Sequence, residues 1–461
     1  MIIPAADGCT TTQRERMHQL KRTLRLRDMV VMGLLFIGPA APVGLYGTLE
    51  ASSQGLTPLV YLIATLVMAF TAWSYSVMSS EIPNAGAVYA YASRGLSPAA
   101  GFIAGWVILL DYLFIPAVAY LFSGISLNAL FPVLPVWFWT LLAVAVTTGL
   151  NVIGLQRARK VSLLVVSAEV AVLLMILAGG AWVVWHKGSS VPLMQPITGS
   201  QGVDIDLLLS SVSVALLSFL GFDAISSFGE ENNGDRRQTG RATLICLFLA
   251  GALFVAQTWL ASLLSPWSSH WLTEHPEMQG KAYYSIVSQS VAGWLGDLLA
   301  IVKAFGAAFS AMIGQAAAGR LLFSLSRDRI LPSALSRVSQ SNGLPVVSIL
   351  LAAGVNSLLA VVAALVPEGL SHLVSFVDVG AICGFVFLHL SVTGWMLVKQ
   401  KKRGLRNILL YGLLPVAGLL MLLPVLFSMH AFALGIAAVW LVIGLFIYGV
   451  RRDHQQLFRV L

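Results

Sequence analysis

The apolar stretch from Val30 to Leu49 carries no charged residue, yet Gly38, Pro39, Pro42, Gly44 and Gly47 interrupt it. An unbroken helix satisfies its own backbone in lipid. Glycine and proline at this density free N–H and C=O groups, which must then find partners or line a wet cavity. The stretch reads as a membrane-spanning helix broken near mid-depth, and such a break is usually where something binds.

Composition says what surrounds that helix. Of 461 residues, 57% are hydrophobic and 10% charged, where a soluble chain carries about 25% charged residues. Lipid must therefore solvate most of the apolar surface, and the 41 glycines suit spanning helices that approach closely. Cys9, Cys246 and Cys383 are far apart, which argues against a disulfide framework and against metal-ligand spacing, so neither metal nor cofactor is expected. The polar segment before Asp28, with Arg14, Arg16, Lys21, Arg22, Arg25 and Arg27, has no apolar core ahead of a cleavage site. No removable signal peptide is expected, and the first span acts as the anchor.

Apolar segments of spanning length, ~20 residues each, fall at roughly 30–50, 58–78, 99–127, 133–150, 161–185, 207–228, 243–264, 294–323, 346–366, 371–397, 407–428 and 431–450. Twelve spans starting inside return the C-terminus, with Arg451, Arg452 and Arg459, to the same side. On that topology 25 of the 28 Lys and Arg are cytoplasmic; Lys187 and Lys281 lie outside and Lys303 lies within span eight. So lopsided a split follows the positive-inside rule. It also assigns the net charge of +8 to topology and anionic lipid, with no nucleic-acid partner. Spans one and six are both glycine-interrupted and open five-helix units entering from opposite sides, the mark of an inverted repeat.

Span six contains Ser218-Phe219-Leu220-Gly221-Phe222-Asp223 and ends at Glu230-Glu231. Asp223 is costly in an apolar helix, so it faces a cavity, a coupling ion or a partner such as a nearby Arg. This block resembles the sixth helix of the amino acid, polyamine and organocation (APC) transporter superfamily. Two further blocks agree. Glu81-Ile82-Pro83-Asn84-Ala85-Gly86 leading to Gly101–Trp106 and Asp111-Tyr112 is similar to that family's second loop and third helix. Gly319-Arg320-Leu321-Leu322-Phe323, Arg327-Asp328, Leu331-Pro332 and Gly343-Leu344-Pro345 look like its junction of helices eight and nine.

The resemblance implies an all-α membrane protein of LeuT type, a five-plus-five inverted repeat with two C-terminal helices, twelve in all. Residues 1–27 would form a basic cytoplasmic segment and 28–450 a single transporter domain. Within it, 28–187 and 205–398 would be the repeats, 406–450 helices eleven and twelve, and 451–461 a cytoplasmic tail. It also implies alternating access around a central site. The cargo's polar ends would meet the unwound backbone near Gly38, Pro39, Ala40 and Gly44 and near Ser218, Gly221 and Phe222. Phe219 and Phe222 would be gates, and Ser310 to Gly314 the opposite wall. Without the family, phenylalanines at helical spacing would be read as packing.

Within the superfamily the chain looks most like bacterial putrescine importers, in length and in Leu388-His389-Leu390-Ser391-Val392 followed by Lys399 to Arg403. A diamine needs carboxylates or aromatic faces at both ends, and Asp111, Glu169, Asp223 and Asp378 are available. Val43 to Gly47, however, lacks the first-helix acid those importers share, and Lys303 adds a cation. An α-amino acid asks only for N–H groups at a broken helix end to hold its carboxylate, which Gly38 to Gly44 would supply. An amino acid or related amine is therefore favoured over putrescine alone.

Glu169 sits mid-span with no sequence-near cation, where some proton-coupled relatives look to have lysine. It is read either as a proton carrier or as a structural hydrogen-bonder. Asp111 and Asp378 are candidate counter-ions of Lys303, and Asp378 a candidate for closing the outer vestibule. His389 reads as an interhelical histidine, and Trp137, Trp139, Trp182, Trp185, Trp267 and Trp271 as interface anchors. No GxSxG, HExxH or paired intramembrane histidines occur, so an enzyme is not expected. The expected function is proton-coupled import of a small amine-bearing solute, an amino acid or a polyamine, across a bacterial inner membrane with both termini cytoplasmic. A substrate exchanger or a non-transporting amino-acid sensor are the alternatives, and the oligomeric state is open.

Overall fold

The computed structural model describes residues 20 and 22–460, except 154, 200–201, 340–342, 367–368 and 428–430. Cys9, Arg14, Arg16 and Lys21 lie outside the described residues, as do the side chains of Arg157, Arg451, Arg452 and Arg459. Eleven helices are long and apolar enough to cross a membrane. The twelfth expected span corresponds to the helix Ala431–Val460, whose apolar part, Leu434–Gly449, is shorter than the other eleven.

Span one is broken where its glycines and prolines lie. The helix Leu26–Ile37 stops at Gly38, whose φ of +76° is left-handed, a conformation open to glycine at little cost. Pro39 cannot donate. A single 3-10 turn over Ala41–Gly44 follows, and α-helix resumes at Tyr46–Ser52. Span six breaks by the same device: the helix Ile205–Leu216 tightens to a 3-10 turn, Leu217–Phe219, and Gly221 turns the chain at φ +117°. From Asp223 to Glu231 it continues as a 3-10 helix. The two breaks touch. A Cβ on Gly221 would lie 2.9 Å from the Phe36 ring, so only a residue without a side chain lets span six approach span one this closely.

Three further pairs of spans pack as an internal twofold would have them. Span two (Thr57–Glu81) lies along span seven (Arg237–Leu264), span three (Pro98–Asn128) along span eight (Gly293–Arg327), and span four (Val136–Ile153) along span nine (Val346–Leu365). Span three also lies along span ten (His372–Lys399). This is the LeuT-type all-α arrangement. Its small residues sit at contacts, as a lipid-solvated bundle requires: a Cβ on Gly314 would run into the Phe36 ring and Pro116.

At the end carrying the basic loops, buried Arg320 bonds Glu231 and lies 4.4 Å over the Phe228 ring. Arg327 grips Glu230 with two bonds of 2.7 and 3.0 Å, while Glu230 also accepts from the Ala85 N–H at 3.0 Å. The segment before span one joins this knot: Thr23 and Leu24 donate to the Glu231 carbonyl at 2.8 and 2.9 Å. At the opposite end, the polar segment between spans seven and eight forms three short helices. They cover the second half of span one, with Tyr283 edge-on to Tyr46 at 5.8 Å.

Candidate functional site

The break in span one leaves carbonyls short of their regular helical bonds, and other spans supply side-chain donors to four of them, Ala40 O taking the Val43 N–H as well. Ser310 donates to the Phe36 carbonyl at 2.6 Å and Gln257 to that of Pro39 at 3.0 Å. The Lys303 ammonium donates to Ala40 O at 2.6 Å and Ala41 O at 3.3 Å. On the other side of the same residue, the Ala40 N–H donates to Glu169 Oε1 at 3.0 Å. Spans five and eight thus bracket Ala40 with opposite charges. Glu169 is 2% exposed, and a buried carboxylate is tolerated only where cations and donors compensate it.

The bracket is tight. A Cβ on Gly306, one turn beyond Lys303, would meet Glu169 Oε2 at 3.1 Å. That Oε2 is buried and has no hydrogen-bond partner among the described residues. Outside the spans, burial and after it the Glu169 charge push the Tyr284 phenol up to about 12, so Tyr284 stays protonated beside the acid.

The break in span six is satisfied from within. The Gly221 N–H donates to Asp223 Oδ1 at 3.1 Å. Asp223 is fully buried and its Oδ2 has no partner. Within its electrostatic reach lie Tyr75, Tyr112 and Asp111. Among the described residues Asp223 has no ion pair with an arginine. The acid of this segment that meets one is Glu231, through Arg320.

The sequence-derived site residues divide into two groups. Gly38, Pro39, Ala40, Ser310, Glu169 and Lys303 come together at the span-one break, and Gly221 and Asp223 at the span-six break, the two joined through Phe36. Ser218 is spent on the Tyr61 hydroxyl at 2.9 Å. Phe219 packs against Tyr61 and Phe254, and Phe222 against Tyr75 and Phe385. Both are fully buried here. Gly44 has open space where a side chain would be.

One expectation is corrected: Asp111 and Asp378 are not the counter-ions of Lys303, because the acid that meets Lys303 across Ala40 is Glu169 of span five. Asp111 instead shares its surroundings with Asp223 and Asp378. His389 is the interhelical histidine expected, bonded to Ser74 at 2.9 Å and Thr71 at 3.3 Å.

Sequence reasoning missed Gln257 and Glu50. Buried Glu50 accepts from Thr57 at 2.6 Å and Ser262 at 3.2 Å, tying the second half of span one to spans two and seven. A carboxylate at the edge of an apolar span was its only signal. Gln257 is an amide in an apolar helix and looks unremarkable until its carbonyl partner is known.

Residues 29–456 match the sequence profile of the family described as amino acid permease. The low-affinity putrescine importer PlaP of Escherichia coli (strain K12) is 27% identical over 93% of both chains. The branched-chain amino acid permease BcaP of Bacillus subtilis (strain 168) is 26% identical over 95% of each. A vacuolar cationic amino acid transporter 2 of Arabidopsis thaliana is 24% identical over 81% of this chain and 60% of its own. With its twin-broken bundle and a profile match along nearly its whole length, this multi-pass membrane protein belongs to the amino acid permease family of the APC transporter superfamily, and is a transporter and not an enzyme.

Proposed function

We propose that the protein imports a small amine-bearing solute, an amino acid or a polyamine, across a bacterial inner membrane by alternating access, driven by protons. Both termini are cytoplasmic in this reading, and residues 28–450 act as one transport domain. The observation that carries it is the charged bracket on Ala40. Glu169 and Lys303 belong to spans five and eight yet hold the main chain of span one, so any movement of span one against them must remake these bonds.

Glu169 is the coupling acid of this proposal. In its charged form it compensates Lys303 and holds the Ala40 N–H. Protonated from outside, on its unpartnered Oε2, it loosens that grip, and access alternates; release of the proton inside resets it. The groups facing it are Lys303 on span eight and Tyr284 on the short helix above.

Counterflow in proteoliposomes tests the reading. A carrier exchanges labelled for unlabelled cargo with saturation, and an imposed inward proton gradient accelerates uptake. A pure exchanger would show counterflow with no response to the gradient. A protein that binds cargo and moves none would be a sensor.

A further inference from the structure

At the end carrying the basic loops, three cations are spent on acids: Arg320 on Glu231, Arg327 on Glu230, and Lys402 on Glu81 at 3.3 Å. A second group meets none. Arg94 closes the short helix Val88–Gly95, and Lys399, Lys401, Arg403 and Arg406 surround the turn from span ten into span eleven (Leu405–Leu426). All five are exposed, and none has an ion pair among the described residues. Five like charges repel one another, and only something outside the chain can compensate them.

The turn is held by bonds of its own. Span ten widens to a π-helix over Gly394–Lys399, and span eleven passes through a second, Leu409–Leu413. The Gln400 N–H donates to the Trp395 carbonyl at 2.8 Å and the Lys402 N–H to that of Met396 at 3.1 Å. Between them Lys401 has a φ of +53°, at the place where a helix end ordinarily carries glycine. A lysine there costs backbone strain that glycine would avoid. What it adds is a cation. The Lys399 ammonium donates to the Arg94 carbonyl, and a Cβ on Gly394 would lie 2.5 Å from the Gly95 carbonyl oxygen, so the two elements that carry the charges touch. Interleaved with the cations are bare apolar side chains: Val398 and Leu405 are 65% and 77% exposed, with Ile408 and Leu409 exposed behind them. Such alternation matches the boundary between phosphate headgroups and acyl chains.

We infer that this patch is a binding site for an anionic phospholipid, its phosphate among Arg94, Lys399, Lys401, Arg403 and Arg406 and its acyl chains along Val398, Leu405 and Ile408. Arginine forks and lysine ammonium groups both suit phosphate oxygens. A free phosphate ion would answer the cations and leave the apolar side chains unused. The site reaches further into the bundle through the helix that ends at Arg94. One turn into that helix the Tyr89 hydroxyl donates to Asp328 at the end of span eight, and just ahead of it the Ala85 N–H donates to Glu230. A bound lipid therefore braces the same short helix that holds the charged knot at this end.

The test is the melting temperature of the detergent-purified full chain titrated with dioleoylphosphatidylglycerol, dioleoylphosphatidylcholine or inorganic phosphate, with bound lipid counted by native mass spectrometry. The expected result is a saturable rise in melting temperature, and retained lipid, with phosphatidylglycerol alone. The triple variant K401Q/R403Q/R406Q should weaken the apparent lipid affinity by roughly a hundredfold, and R94Q, on the other element, by roughly fivefold. The control R236Q/R237Q/R241Q removes as many cations around the start of span seven and should leave lipid affinity nearly unchanged. An equal loss in that control would mean a diffuse surface potential and would overturn the inference. So would an equal response to phosphatidylcholine, or a shift with inorganic phosphate that matches the lipid's. R94Q decides the location where the triple variant does not fold, and none of these readouts depends on transport.

Discussion

The two interrupted spans solve one problem in opposite ways. Span one is propped from outside: its freed carbonyls at Phe36, Pro39, Ala40 and Ala41 are held by Ser310, Gln257 and Lys303, and its Ala40 N–H by Glu169. Span six is capped from inside, with Asp223 bonding the Gly221 N–H two residues back. A segment held by other helices registers their movement, whereas a segment that caps itself keeps its shape while the bundle moves. The first is suited to coupling and the second to presenting a fixed face to cargo.

Four substitutions break or sharpen that contrast. Lys303→Met is the most damaging, since it leaves Glu169 a buried charge without its cation and takes the ammonium from the Ala40 and Ala41 carbonyls; a loss of about 3–5 kcal/mol is expected. Denaturation of the detergent-solubilised protein would measure it, with uptake absent. A Lys303→Met protein that melts like wild type would show that the span-one break is not held by charge.

Glu169→Gln keeps an acceptor for the Ala40 N–H, so it costs less stability, but it removes the titrating group. Wild-type uptake should rise as the outside is acidified, because a proton must load from that side, and fall as the pH climbs. The variant should be flat across the same range. Unchanged pH dependence in Glu169→Gln would remove the coupling role from span one.

Asp223→Asn retains a side-chain acceptor for Gly221 and should lower stability by about 1–3 kcal/mol at most, less than Lys303→Met. Its main effect is on cargo affinity, read as a raised half-saturation concentration with no change in pH response. Equal destabilisation by the Asp223 and Lys303 variants would erase the distinction between the two breaks. Ser310→Ala is the mildest: one hydroxyl bond to the Phe36 carbonyl is lost, worth about 1 kcal/mol, and uptake should persist with a small drop in melting temperature.

The breaks were legible in sequence because glycine and proline act locally. Gly38, Pro39 and Gly221 announce themselves wherever the rest of the chain goes, and the family blocks place them on spans one and six. Asp223 and Glu169 were legible as charges in apolar surroundings. Their partners were not. Glu169 and Lys303 are more than a hundred residues apart, and only the packing of spans five and eight on span one brings them to the same alanine. Lys303 was accordingly paired with the wrong acids. Ser218, read as a cargo contact, and Phe219, read as a gate, both pack around Tyr61 here, a neighbourhood that their order in the chain does not reveal. Helix twelve shows the limit of reading length from composition: its apolar stretch runs straight into a polar helix, so the boundary is chemical and not conformational.

The ammonium on the span-one carbonyls is covalently part of the chain. It cannot dissociate into the cytoplasm or be exhausted by a falling ion gradient, and it contributes nothing to the charge carried across in a completed cycle. The current is then set only by what enters and leaves, the cargo and any proton. Each positive charge admitted is worth about 2.3 kcal/mol per 100 mV of membrane potential. A carrier with its cation built in would therefore concentrate a positively charged solute chiefly on voltage.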